Sequence, residues 1–343
     1  MIMKKRLVLL LGAAIVIAGV VVWWNRTAGT KSQAVVVYVS EDQVFSEPIL
    51  RDFEKETGIK VKAVYDTEEA KSTGAMNRLI AEKDNPQADV YWANEPIRAE
   101  ILKQRGVSAS YVSPSAAGIP EDFRDPEGYW TGFSARARVL VINKKARNKP
   151  RSIRDYADPR WKGKAVIANP LFGTTTVEIA ALFTLWGDET AKAFLQAMKQ
   201  NGVKMSTSNG ESADLVALGA AEFSLVDSDD GFNRIKQGKP IEIVFPDQGD
   251  NDVGTLLVPN AVVLIKDGPN PQSARNLIDY LLSKETERKL AFADCAQIPL
   301  HAGVPAPTEL RPVETIRVMK INYAEVAREM QAIQLTLKDW VGY

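Results

Sequence analysis

The chain has 343 residues, 45% of them hydrophobic and 25% charged, which suits two α/β units of ordinary size and is too long for one compact core. Basic and acidic residues balance at 43 each, yet Lys4, Lys5, Arg6, Arg26 and Lys31 all fall in the first 33 residues, which hold no acid, so the remainder is net −5. That mildly acidic body gives no electrostatic reason for nucleic-acid binding, and a single cysteine, Cys295, with a single histidine, His301, excludes an intrachain disulfide and nearly excludes a Cys/His nucleophile pair or a multi-histidine metal site.

The basic cluster Lys4–Arg6 runs into an eighteen-residue apolar stretch, Leu7–Trp24, the form of an export signal. Its length is at the lower edge for spanning a bilayer and Trp23–Trp24 sits where an interfacial belt would lie, so the segment fits an uncleaved membrane anchor and a cleaved peptide alike. The expected location is periplasmic or otherwise extracytoplasmic, with membrane association through residues 7–24. Residues 25–33 read as a polar tether.

The folded body begins near Ala34. Ala34–Val39 is apolar on both faces, as a strand covered by helices must be. Ile49, Leu50 and Phe53 mark a helix that stops at Thr57–Gly58, and Ile59–Val64 alternates as the next strand. The same alternation predicts a helix near 74–83, a strand at Ala88–Trp92, a helix near 96–104 and a strand at Arg138–Ile142. Further on it predicts a strand at Lys164–Ala168, helices near 177–186 and 188–201, and a strand at Phe223–Val226. Two strands at Gly254–Pro259 and Ala261–Ile265 and helices near 271–282 and 284–292 follow. Such alternation specifies mostly parallel sheets.

Several stretches resemble the type II periplasmic solute-binding proteins, and among them the iron(III)-binding branch: Val37–Val61, Ala88–Trp92, Ser134–Val139, Asp155–Gly163 and Ala274–Ser283. The resemblance covers about residues 34 to 310. It implies an α/β fold of two lobes closing over a ligand in the cleft between them, with lobe 1 from 34–136 and 256–310 and lobe 2 from 137–255 and 311–343. Function follows by the same implication: a monomeric, non-enzymatic binding component of an ABC importer, whose partners are a small solute and an inner-membrane permease.

In such a fold ligands sit beyond the carboxyl ends of strands and at helix N-termini. Four loops qualify, carrying Glu41 and Asp42, then Asn94 and Glu95, then Thr174 and Thr175, then Asp227, Asp229 and Asp230. The iron(III)-binding relatives place a tyrosine pair where Asp229–Asp230 stands here, a histidine at Asp42, and a glutamate at Asn94 or, with a one-residue slip, Glu95. Carboxylates alone are hard ligands for several cations and also pair with an ammonium group. The plainer reading of Asp227–Asp230 is a turn whose acids cap a helix. Four carboxylates meeting without a positive partner would repel until a cation entered, so the expected ligand is a small cationic or zwitterionic solute. The alternative is iron(III) or another metal ion, carried as cargo on Asp42, Asp229 and Asp230 with a synergistic anion; no other cofactor is expected. An anion site is expected at Thr174, Thr175, Asn209 and Arg136. Arg136 and Arg138 are read as alternating along their strand, one toward the cleft and the other a surface or inter-lobe charge. Trp92 is read as core, and Asp247–Asp252 as a solvated turn without full calcium-loop spacing.

Overall fold

Residues 33–66 and 73–342 are described by the computed structural model; the apolar run at 7–24 lies outside them. Strand β1 (Ala34–Val39) hydrogen-bonds in parallel to β2 (Lys60–Tyr65) and to β3 (Val90–Ala93). Val35, Val37 and Val39 on one face of β1 pack on Ile49, Leu50 and Phe53 of helix α1 (Gln43–Thr57), while Tyr38 on the other meets Leu79 of α2 (Thr73–Ala81) and Leu102 of α3 (Pro96–Gln104). Gly58 ends α1 in the left-handed conformation at φ 73°, which glycine adopts without strain.

The second parallel group is β6 (Ala165–Ala168) between β7 (Lys204–Ser206) and β8 (Phe223–Asp227). It is covered by α4 (Gly173–Trp186), α5 (Asp188–Gln200) and α6 (Asn209–Ala217). Two long strands join the groups, β5 (Thr131–Asn143) and β10 (Leu257–Ile265), giving the order β2-β1-β3-β10-β5-β8-β6-β7. Strand β4 (Ser108–Ala109) pairs with β10, and β9 (Ile241–Val244) pairs with β5. The parallel groups are as the alternation predicts, and the mixed character comes from β5 and β10, whose pairings are all antiparallel.

Strand β5 changes partners between Ala137 and Arg138: residues before that point pair with β10 and those after it with β8 and β9. It is thirteen residues long and buried throughout, much longer than the five-residue strand expected, and the two strands expected at 254–265 are one continuous β10. Short β7 and β9 escaped notice because three or four residues carry too little pattern. Helix α7 (Ser228–Lys236) follows β8 directly, and α8 (Pro271–Leu281) and α9 (Lys284–Phe292) follow β10. The chain ends in α10 (Tyr323–Ala332) and α11 (Gln334–Val341), neither anticipated. Helix α10 packs against both α3 and α4, so the C-terminal segment touches both halves.

Candidate functional site

A cavity of about 1040 Å³ opens between the two groups of strands, walled on one side by β3–α3 and α2 and on the other by the N-terminal turns of α4, α6 and α7. Asp42, Asn94, Arg136, Thr174, Thr175, Asn209, Asp227, Asp229 and Asp230 line it, so nine of the expected residues do meet. Glu41 and Glu95 do not. Glu95 is turned into the protein as the N-cap of α3: its carboxylate accepts from the backbone N–H of Ile97 and Arg98 and from Arg98 Nη1 at 2.8 Å. Pro96 at the first helical position was the readable signal for that cap. Glu41 is buried and accepts a hydrogen bond from Gln297 Nε2 at 3.1 Å.

The floor of the cavity is an ion-pair network. Arg138 is fully buried; its Nη1 donates to Asp227 Oδ1 at 2.9 Å and to Thr174 Oγ1 at 3.1 Å, and its Nη2 to Thr175 Oγ1 at 3.2 Å. Arg136 lies beside it with Nη1 3.8 Å from Asp227 Oδ2, and its Nη2 donates to the Asn94 carbonyl. This corrects the expected surface or inter-lobe role for one of the two: residues two apart on a strand share a face, so both guanidinium groups reach Asp227. Burial opposes ionisation of Asp227, but Arg138 and then Arg136 outweigh it and hold the carboxyl below its ordinary range.

The expected anion site is altered by the same network. Thr174 Oγ1 donates to Asp227 Oδ2 at 2.8 Å, Asn209 Nδ2 donates to Thr174 Oγ1 at 3.0 Å, and Thr175 Oγ1 donates to Asn209 Oδ1 at 3.4 Å. These side chains bind one another and Asp227. What the turn still offers is backbone N–H, since Phe172 caps α4 without a side-chain hydrogen bond.

Asp229 and Asp230 stand in the first turn of α7, above this floor. Gly231 lets the helix sit tight on the sheet, because a Cβ there would come within 2.9 Å of Ile243 Cδ1 and 3.1 Å of Val141 Cγ1. Burial, opposed by Arg136 and assisted by Asp227, pushes the Asp229 carboxyl up to about 6. Burial and its two acidic neighbours raise Asp230 well above the usual carboxylate range. Arg234 reaches Asp230 Oδ1 at 3.4 Å but is held by Asp214 through two bonds of 3.1 Å. The carboxylates therefore do have positive partners, contrary to the expected unrelieved cluster, and the relief is uneven. Asp227 is neutralised, whereas burial and mutual repulsion raise the carboxyls of Asp229 and Asp230.

Two further expectations resolve outside the cavity. Trp92 is core, fully buried and donating through Nε1 to Asn260 Oδ1 at 3.1 Å. Asp247 is not solvated: it is buried, its Oδ2 accepts from the Ile153 N–H at 3.0 Å, and burial raises its carboxyl.

Residues 88–325 match the family model described as bacterial extracellular solute-binding protein. The chain belongs to this family. Iron uptake protein A1 of Synechocystis is 27% identical over 80% of this chain and 78% of its own length. A putative 2-aminoethylphosphonate-binding periplasmic protein of Salmonella typhimurium is 23% identical over 84% of this chain and 80% of its own. Among solved structures, the apo ferric ion-binding protein A of Pasteurella haemolytica superposes with a TM-score of 0.79 at 25% identity, covering 90% of this chain and 98% of that one. The two-lobed periplasmic binding fold and the role of an extracytoplasmic solute-binding component of an ABC importer are thereby established. Among the described residues no helix is long and apolar enough to cross a membrane.

Proposed function

We propose that this solute-binding protein captures a small zwitterionic organic solute, of which 2-aminoethylphosphonate is an example, and performs no chemistry on it. The observation that carries this reading is geometric: Asp229 and Asp230 face the cavity from the first turn of α7, beside Asp227, which two arginines already neutralise. A ligand ammonium group between Asp229 and Asp230 supplies positive charge and relieves the repulsion. Asp42 faces the same cavity from the other half, so a bound cation is held by both halves and favours their closure. The lobes we assign are 34–136 with 256–310, and 137–255 with 311–343, meeting where β5 changes partners. The protein acts as a monomer, delivered across the cytoplasmic membrane by residues 7–24, either cleaved or kept as an anchor.

Isothermal titration with 2-aminoethylphosphonate and with its N-acetyl derivative tests the reading. The free amine binds and the acetylated compound binds at least tenfold more weakly; equal affinity for the two overturns the assignment. Affinity falls as the pH drops below about 6, where Asp229 holds its proton.

A second reading has its own support. Asp227, Asp229 and Asp230 each offer a carboxylate oxygen, and these atoms all lie within 4.8 Å of one another, a spacing that suits a metal ion carried as cargo. Titration with ferric citrate and divalent metals, followed by a chelator, decides between them, since a chelator strips only a metal.

A further inference from the structure

The cavity is far larger than a two-carbon aminophosphonate requires, and its charges are segregated. Its acids are Asp42, just after β1, Asp227 at the end of β8, and Asp229 and Asp230 in the first turn of α7. Away from them, between α2, α3 and the C-terminal helices α10 and α11, the same cavity is lined by Arg98 and Arg105 and by the amides Asn77, Gln331 and Gln334, with no acidic lining residue among those described. Arg98 is 8% exposed. Its Nη1 is fixed by Glu95 at 2.8 Å and its Nη2 donates to Thr73 Oγ1 at 3.2 Å, while Nε has no partner among the described residues. Thr73 opens the nine-residue helix α2, whose N-terminal end faces the two arginines; the Ala75 N–H of that turn donates to Asp66 Oδ2 at 3.3 Å.

We propose that Arg98, Arg105 and the Thr73 turn of α2 form a second, anion-binding pole of the cavity, and that the ligand is an extended ω-amino organic acid reaching from Asp229 and Asp230 to it. The charge separation of the ligand then exceeds the two-carbon spacer of 2-aminoethylphosphonate. Arg98 is oriented before the ligand arrives, because Glu95 and Thr73 hold two of its three nitrogens, and Arg105 on the exposed side of α3 closes on the acid from the mouth. Among the described residues two acids touch this pole: Glu95, which Arg98 neutralises, and Asp66, which accepts from the Ala75 N–H and from Ser40 Oγ and does not line the cavity. The assignment rests on the zwitterion reading above, and its test separates the two.

Affinities of the full chain are measured for ω-aminoalkylphosphonates with two, three, four and six methylenes, for the parent, Arg105→Ala, Arg105→Lys and Thr73→Val. Arg105 and Thr73 are exposed, so these variants keep the fold, and thermal melts check that they do. Affinity rises at least tenfold from two carbons to the best longer member. Arg105→Ala and Thr73→Val each remove at least fivefold of the longer member's affinity and leave the two-carbon compound unchanged, and Arg105→Lys restores most of the loss. If the two-carbon compound binds as tightly as any and the variants change nothing, the second pole is refuted while the zwitterion reading stands. If no member of the series binds but a metal does, both are refuted.

Discussion

Replacing Asp229 with asparagine removes a carboxylate whose ionisation the fold opposes. The carboxyl moves from an ordinary 3.8 up to about 6 through burial and the nearby Asp227, against the pull of Arg136. At about 1.4 kcal/mol for each tenfold in proton affinity, holding it ionised at neutral pH costs ~3 kcal/mol. The side chain borders the cavity and is partly solvated, which reduces the figure to roughly 1–2 kcal/mol. The folded protein binds this proton more tightly than the unfolded chain does. Its stabilising contribution is therefore complete below about 3.8 and is lost as the pH rises through about 6. Ligand-free Asp229→Asn is thus more stable than the parent at pH 7.5, and the advantage shrinks toward zero by pH 4. Urea denaturation followed by circular dichroism at several pH values measures this, with parent and variant compared at each. A variant no more stable at pH 7.5, or a gain of the same size at every pH, refutes the reasoning. The same variant should lose its affinity for the free amine, so that the group which strains the empty protein is the one that holds the ligand.

Other substitutions test the frame around the site. Arg138→Met leaves Asp227 and Glu178 buried without their main cation; Glu178 already sits at about 7 through burial, and the loss should be about 3 kcal/mol or more in urea unfolding. Gly231→Ala forces a methyl against Ile243 and Val141, which should cost ~1–3 kcal/mol and shift α7 enough to weaken ligand binding, checked by melts and titration together. Trp92→Phe loses the hydrogen bond to Asn260 and leaves its carbonyl oxygen unsatisfied in the core, an expected destabilisation of ~1–3 kcal/mol without a change in ligand preference.

What the sequence disclosed was what local pattern can encode. Ala34–Val39 is apolar on both faces because helices cover both, and the position of Asp42, Asn94 and Asp227–Asp230 just beyond strand ends sufficed to bring them to one cavity. Pairing across the chain was hidden. Nothing local says that Asp227 belongs to Arg138, 89 residues away, so acids counted in the sequence overstate the negative charge that a ligand meets. The arginine error was different in kind, since the period of a strand puts Arg136 and Arg138 on one face and the sequence contained the answer. Thr73 and Arg98 carried no signal of their own because their meeting depends on α2 packing against α3.

Helix α10 has a mechanical consequence. Val326, Ala327 and Met330 are cemented into a cluster with Ile97 and Ile101 of α3 and with Val177, Ile179 and Phe183 of α4, while Tyr323 sits edge-on to Trp130 at 5.0 Å. Two halves joined only by β5 and β10 could swing as a book does on its spine. A third fastener across the page edges forbids that free swing. Any opening of this molecule has to disturb that packed seam as well as bend the spine.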